Sequence, residues 1–414
     1  MSEEIMDMSI ENMRKLIDEH DKTVANLPRI NTMHMQEVKE FLTQYADIRT
    51  EDDANRVLGY FNSFKEEWSE YYKVTPSHIY PQIYHSIANA YEILEDTNTA
   101  INELKECLSI IEAATEYQWL FQIKADLYFH LATLNYRINN LDETRSNMRI
   151  GIYHLLTRYN NIYYDNFAFY AFRPLDDYVL EGIRDNKISL SNPCKFNDPM
   201  DPALITHFKV WIEQEQEEAQ KELLQIQQDI YKEIRITCLS RTQQLPTGNL
   251  NEPPEKDPPF DEINKATMWG YYAKSHRGIC IKYVFPSSFT DHDHQSDNEV
   301  LVLRNVTYAE QYNPQKDNFN FDEAFFTKGS EWEHEGECRL VLFKKNGNVP
   351  DFPWINLPDN CIQEIYIGYA ASVEDKKKLQ EALYNKPNIK LYQMQLSPHN
   401  LFKLEPVEIT LEEL

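Results

Sequence analysis

Residues 335–339 read Glu335-Gly336-Glu337-Cys338-Arg339, two carboxylates two positions apart with a guanidinium two positions beyond. Alternate strand residues share a face, so a strand beginning here would set Glu335 and Glu337 side by side. Carboxylates so placed can stabilise positive charge as it develops on a bound molecule; the alternative is an exposed Glu/Arg strand pair. A second group, Trp269, Tyr271, Tyr272 and His276, offers rings that stack on a base and an imidazole that bonds a phosphate or titrates near neutral pH. A helix packing its aromatic face on a sheet would carry the same residues. The third group is the stretch 187–201, KISLSNPCKFNDPMD. Ile188 and Leu190 alternate with Ser189 and Ser191, the period of a half-buried strand, and Asn192-Pro193 stops it. Asn197 and Asp198 then enter a turn fixed by a second proline. There they either bond their own backbone or stand at the rim of a pocket.

Several other chemistries lack their residues. The 10 glycines form neither GxGxxG nor a phosphate-binding loop. The 6 cysteines are scattered, with no CxxC pair and no Cys/His cluster at zinc spacing, so they read as reduced and no metal is expected. His292-Asp293-His294 falls in a polar loop and reads as solvated. A formal net charge of −26 speaks against a broad basic surface for nucleic acid, leaving room only for a small local groove. The N-terminal MSEEIMDMSIENMRK lacks the apolar core of a secretory signal. No run approaches the roughly 18 apolar residues of a membrane span. A soluble cytoplasmic protein without a membrane partner is the expectation.

The elements that must position these groups change character along the chain. Its 414 residues suit two or three domains, and the change of period places a boundary at 162/163. Residues 1–162 read as all-helical. A faint stripe (Ile10, Met13, Ile17, Val24) and a second (Val38, Phe41, Leu42, Tyr45) precede the capping signature Thr50-Glu51-Asp52-Asp53. A strong amphipathic helix follows, carrying Ala54, Val57, Leu58, Phe61, Phe64, Trp68 and Tyr71. Two helix–turn–helix segments beginning at Ser86 and His130 align with each other, Ala88 on Ala132 and Asn98 on Asp142. They resemble the tetratricopeptide repeat, with an offset about ten residues longer than its 34-residue period. Such pairs stack and present a concave face to a protein partner, whereas a plain helical bundle would merely support the second domain. The aromatic stripes of this half read as core, and His85 and His130 show no partner.

Residues 163–414 read as an α+β sheet domain. Strand-like runs are FAFYAFRPL, KISLS, IRITCLS, GICIKYVF, EVLVLRNVTY, CRLVLFKK, IQEIYIG and IKLYQMQLS. One long polar helix is expected from Ala203 to Arg235, a shorter one from Val373 to Tyr384, and a proline-rich loop over 243–265.

Taken in order, Arg173 after an aromatic strand, SNPCKFNDPMD, TCLS, MWGYYAKSHRGICIKY, VTYAEQYNP, TKGSEWEHEGECRLVLF and IQEIYIGYAASVEDKKKLQ resemble the bacterial domain-of-unknown-function family numbered 2971, over about residues 165–405. The core of that family is similar to the ADP-ribosyltransferase fold. Joined to repeat domains, such modules resemble effectors of antiphage defence or toxin systems. The resemblance implies NAD as substrate. Cleavage of its nicotinamide–ribose bond passes through an oxocarbenium-like state, by analogy with glycoside cleavage, and a carboxylate on a ribose hydroxyl tightens as that charge grows. It implies Glu337 on the ribose and Glu335 near the acceptor, Arg173 on a phosphate, and Ser191 in place of the second-strand serine. Trp269, Tyr272, His276, Asn197, Asp198 and Arg339 complete the implied NAD-binding set. Cys338 departs from the Glu-Trp-Arg of the family, while Glu337 and Arg339 keep it. The other readings are an enzyme acting on nucleotides or nucleic acid, such as a nuclease, and a non-catalytic interaction protein with Glu337 pointing to solvent.

Overall fold

A computed structural model describes residues 32–44, 48–62, 65, 79–112, 118–157, 167–196, 198, 200–201, 203–215, 217–241, 263, 266–290, 298–311, 325–347, 349–400 and 402–414. The chain divides into two compact units, Met1–His154 and Leu155–Leu414, a boundary slightly earlier than the expected one. The expected stripe at 10–24, Phe64, Trp68 and Tyr71, His292-Asp293-His294 and most of the proline-rich loop lie outside the described residues.

The described part of the first unit is helical. Thr50 caps the helix Glu51–Asn62 as its sequence signature requires, its Oγ1 accepting from Asp53 N at 3.1 Å. The buried face Ala54, Val57, Leu58 and Phe61 packs into one apolar cluster with Ile83, Ile87 and Ala88 from Ile79–Ile93 and with Leu104 and Leu108 from Thr97–Glu112. Two longer helices follow, Gln118–Arg137 and Leu141–Thr157. The turns inside the two aligned segments are alike. Glu95 and Asn139 both sit in the left-handed region, at φ 61° and 58°. Asp96 N donates to Tyr91 O at 2.9 Å, and Asn140 N to Asn135 O at 2.8 Å. His85 and His130 do have partners: their Nδ1 atoms lie 3.1 Å apart, and His130 Nε2 meets Glu92. Burial, with the neighbouring His130 adding to it, pushes the His85 imidazole down to about 4.

The second unit is α+β. Its eight-stranded sheet has the order β12-β11-β10-β4-β1-β3-β8-β5. In chain order these are β1 Ala168–Arg173, β3 Arg235–Ser240, β4 Ile279–Val284, β5 Glu299–Asn305, β8 Glu337–Lys344, β10 Ile362–Ile367, β11 Lys390–Leu396 and β12 Leu404–Ile409. All neighbours run antiparallel except β10 and β11. Two short pairs lie beside the sheet: β2 Lys187–Ser189 with β9 Trp354–Asn356, and β6 Thr307–Ala309 with β7 Thr327–Gly329. One face of the sheet (Phe169, Ala171, Leu239, Ile281, Cys338, Leu340) packs with Leu180 and Ile183 of the helix Asp177–Asp185 and Leu379 of Val373–Leu383. The other face (Tyr170, Phe172, Cys280, Met394) packs with Met268 and Trp269 of Ala266–Tyr272.

Two expectations are corrected. The long helix of 203–235 is two helices, Ala203–Gln214 and Glu218–Tyr231, and its last residue opens β3 instead. No proline or glycine marks the break at 215–217, so no local signal announces it. The edge strand β12 has no counterpart among the expected strands because Pro406 disguises it; an edge position tolerates a proline that an interior strand would not.

The entry to β8 also differs from expectation. The strand begins at Glu337, not Glu335, which closes the 3₁₀ turn Ser330–Glu335. Between them Gly336 adopts φ 54°, ψ 46°, and a Cβ there would stand 2.3 Å from the Arg241 carbonyl oxygen. Gly336→Ala is therefore expected to cost about 2 kcal/mol or more of unfolding free energy, read as a lowered midpoint in chemical denaturation.

Candidate active site

The sheet is open at its centre. β1 and β3 meet in register only at Tyr170 and Ser240, and beyond that pair β1 leaves its neighbour. The backbone groups of β3 along the opening then need other partners. Ile236 finds them in Ser191, donating to its carbonyl at 2.9 Å and accepting from its amide at 2.8 Å. Next along, the Cys238 carbonyl accepts from Arg173 Nη2 at 3.3 Å, and the same nitrogen donates to Thr237 Oγ1 at 2.6 Å. Arg173 Nη1 donates to the Phe172 carbonyl at 3.2 Å. Among the described residues its guanidinium meets carbonyl and hydroxyl oxygens and forms no ion pair with a carboxylate.

A cavity of about 530 Å³ occupies this opening, lined among others by Arg173, Ser191, Thr237, Tyr272, Glu335 and Glu337. By strand alternation Arg173 lies on the face of Phe169 and Ala171, whereas Glu337 and Arg339 lie opposite Cys338 and Leu340, which share that face. Arg173 and Glu337 thus leave opposite faces of the sheet. They reach one cavity because the sheet is open between them.

On the Glu337 side the charges are buried and dense. Lys328 Nζ on β7 meets Glu335 Oε2 at 2.6 Å, Glu337 Oε2 at 3.0 Å and Asp201 Oδ2 at 3.5 Å. Arg339, wholly buried, donates from Nε to Glu337 Oε1 at 2.7 Å, from Nη1 to the Phe325 carbonyl at 2.6 Å, and from Nη2 to Asp201. Tyr272 donates its phenol proton to Glu335 Oε1, and the Tyr308 hydroxyl accepts from the Glu337 amide at 2.7 Å. Three carboxylates against two cations leave this group formally one negative charge in excess.

Burial alone would lift the Glu337 carboxyl, but Arg339 and Lys328 together outweigh it and hold it at about 2. Burial is also the largest influence on Asp201, which it raises despite Arg339. For Lys328 burial is opposed and exceeded by Glu337, Glu335 and Asp201, so its ammonium titrates above its ordinary range. Tyr272 is pushed up by burial and by the carboxylate it faces.

Of the residues singled out in the sequence, the structure brings Arg173, Ser191, Tyr272, Glu335 and Glu337 to the cavity. Arg339 lies beneath it as the partner of Glu337. Trp269 does not reach it: the ring is buried in the core against Phe172, with Nε1 donating to Ile263 O at 2.7 Å. His276 sits in the left-handed turn after that helix, with φ 66°. Its backbone serves Trp269 and Ala370, and burial lowers its imidazole. Asn197 lies outside the described residues, and Asp198 turns onto its own backbone, accepting from Met200 N at 2.9 Å. The acid that the turn delivers is Asp201 instead. Glu335 and Glu337 converge through the Gly336 turn and the shared Lys328, not through strand alternation. Cys338 is buried on the far face, so the departure from a Glu-Trp-Arg pattern alters the core rather than the cavity wall.

Lys328, Asp201 and Thr237 join the site from within motifs of the sequence that do not single them out. For Lys328 the one available signal was a lysine inside the motif TKGSEWEHEGE, seven residues before Glu335. At the cavity mouth Lys195 pairs with Asp351 at 2.6 Å and stands 4.5 Å over the Phe352 ring, while Tyr178 tilts on Trp354 at 4.3 Å. Among the described residues no group of three or more His, Cys, Asp or Glu side chains is placed to hold a metal ion, and no helix is long and apolar enough to cross a membrane. No protein-family model, no curated protein and no solved structure matches the chain.

The depressed Glu337 carboxyl makes a linkage prediction. Its contribution to stability is fully present above its unfolded value near 4.5 and is lost as pH falls toward about 2. Glu337→Gln is expected to be about 3 kcal/mol less stable than the wild type at pH 7. In denaturant titrations that difference narrows progressively from about pH 5 downward; a gap independent of pH would contradict the assignment.

Proposed function

We propose that the C-terminal unit is an ADP-ribosyltransferase-like enzyme with NAD as its substrate. On this reading the N-terminal helical unit is the sensor or partner-recruiting arm of an effector of the antiphage-defence or toxin type. The observation that carries the reading is the opposite charge of the two ends of one cavity. Arg173 offers a guanidinium that meets no carboxylate among the described residues, and across the opening the Asp201/Glu335/Glu337 group keeps a formal negative excess over Lys328 and Arg339. NAD has the complementary pattern, an anionic pyrophosphate and a cationic nicotinamide ribosyl end. The cavity volume lies in the range of small-molecule sites, roughly 300–1,000 Å³.

The residues present suit the chemistry. As the nicotinamide–ribose bond breaks, its electron pair leaves with the nicotinamide ring and positive charge builds on the ribose. Glu337 stays ionised through the neutral range and its carboxylate lines the cavity, where it can stabilise that charge. Arg173 is already oriented by Thr237 and Cys238, so a phosphate meets a guanidinium that has little freedom left to lose. The matched turns of the two aligned helical segments support the repeat-like reading of the first unit, and a protein is the partner its helices suit.

Two observations weigh against the alternatives. The point among Asp201, Glu335 and Glu337 that a nuclease would give to a divalent ion is held by the Lys328 ammonium. A purely interacting domain expects Glu337 at the surface, whereas it is buried and lines a cavity.

The test is release of nicotinamide from labelled NAD by the purified full chain, with cell lysate as acceptor source. Glu337→Gln is expected to lower turnover by about 10²–10³-fold. Arg173→Met is expected chiefly to raise KM, by roughly tenfold or more. Absence of both nicotinamide release and NAD binding would overturn the reading.

A further inference from the structure

We infer that Lys328 is a positioning residue of this site: its ammonium gathers Glu335, Glu337 and Asp201 around one point and keeps the two glutamates charged side by side. The inference rests on the reading of the cavity as the reacting site. Lys328 is the one cation among the described residues that touches all three carboxylates, and no other described cation touches Glu335. Arg339 serves Glu337, Asp201 and the Phe325 carbonyl. Two carboxylates within hydrogen-bond reach of one nitrogen lie close enough to repel strongly when it carries no charge, and one of them then takes up a proton near neutral pH.

The surroundings leave little else to do this work. Facing the carboxylates are Tyr272 from the helix Ala266–Tyr272, Tyr308 from β6, Cys238 from β3 and Arg339 from β8, with Arg173 and Lys195 elsewhere on the cavity wall. Tyr272, Tyr308 and Cys238 are all pushed above their ordinary values by burial first, so they stay neutral at physiological pH and supply no charge. The Lys328 side chain is fixed by packing as well, with its nitrogen 4.8 Å from the Trp332 ring centre. A lysine that is buried, paired with three carboxylates and protonated is not placed to attack a substrate. It sets the charge state of groups that meet one.

The experiment compares the full chain with Lys328→Met, Lys328→Arg and Lys328→Met/Glu335→Gln. Carboxyl protonation is followed by infrared difference spectroscopy between pH 4 and 9, without substrate. Lys328→Met is expected to show one protonated carboxyl at neutral pH that the wild type lacks. Lys328→Arg should restore the wild-type spectrum, and adding Glu335→Gln should remove the new signal. In nicotinamide release, Lys328→Met should move the acid limb of the pH profile upward by roughly one to three units. If Lys328→Met does not fold but the double variant does, repulsion between the carboxylates is the cause and the inference stands. A folded Lys328→Met with no new carboxyl signal overturns it, as does failure of both variants to fold, which would make Lys328 a packing residue. Because the spectrum needs no NAD, a chain with neither NAD turnover nor NAD binding but with the new signal would overturn the proposed function alone.

Discussion

Backbone groups buried without partners cost on the order of 1–3 kcal/mol each, and β3 presents such groups at the centre of the sheet, where β1 turns away after Tyr170 and Ser240. Few solutions to that constraint exist, and this chain uses two. A returning segment supplies Ser191 as a one-residue strand, and a side chain, Arg173, supplies donors where a backbone is missing. Both cost the sheet its continuity, and the space so created is the cavity. Gly278 adjusts the same region from the β4 side: a Cβ there would stand 2.1 Å from the Arg173 carbonyl.

The opening also explains why the unit tolerates charge at its centre. Arg339 and Glu337 would be an expensive pair in a closed sheet, since desolvation of buried ions commonly rivals their attraction. Here each ion has several partners. The Glu337 carboxylate is bonded by Arg339, Lys328 and Cys238, while Arg339 divides its donors among two carboxylates and a carbonyl. On the other side of β8, Cys338, Leu340 and Leu342 are all buried in the apolar core. β8 is thus asymmetric, one face in the apolar core and the other partly in a buried polar network.

Much of this was legible in the residues. Period-two runs gave most of the large-sheet strands, because alternation follows from burial of one face and needs no long-range knowledge. The Thr50 cap and the Asp198 turn were readable because a side chain bonding backbone two or three residues away is a local matter. Glu335 and Glu337 are legible as a pair, but strand alternation is not what joins them: Gly336 takes a left-handed turn, and the Arg241 carbonyl, nearly a hundred positions earlier, leaves no room for a side chain there. Trp269 takes the packing role that its sequence context also allows, since a ring suited to stacking on a base is equally suited to a core. Lys328 and Asp201 lie inside motifs that the sequence offers, but nothing there singles them out, because their importance lies in which distant groups they meet. Nothing local distinguishes a lysine that will be buried among acids from one that will be solvated.

Strand order has a consequence for how the molecule comes into being. β3 lies between β1, which it barely touches, and β8, which is made much later in synthesis; Glu337 and Arg339 arrive with that strand, and Lys328 only shortly before it. Until β8 docks, β3 has no full-length neighbour on either side, and neither the charged floor nor the opening has walls. Long-range pairings of this kind close slowly and cooperatively. The cavity therefore has no partially competent precursor: a nascent or truncated chain that stops short of β8 carries Arg173 and Ser191 but no site for them to belong to.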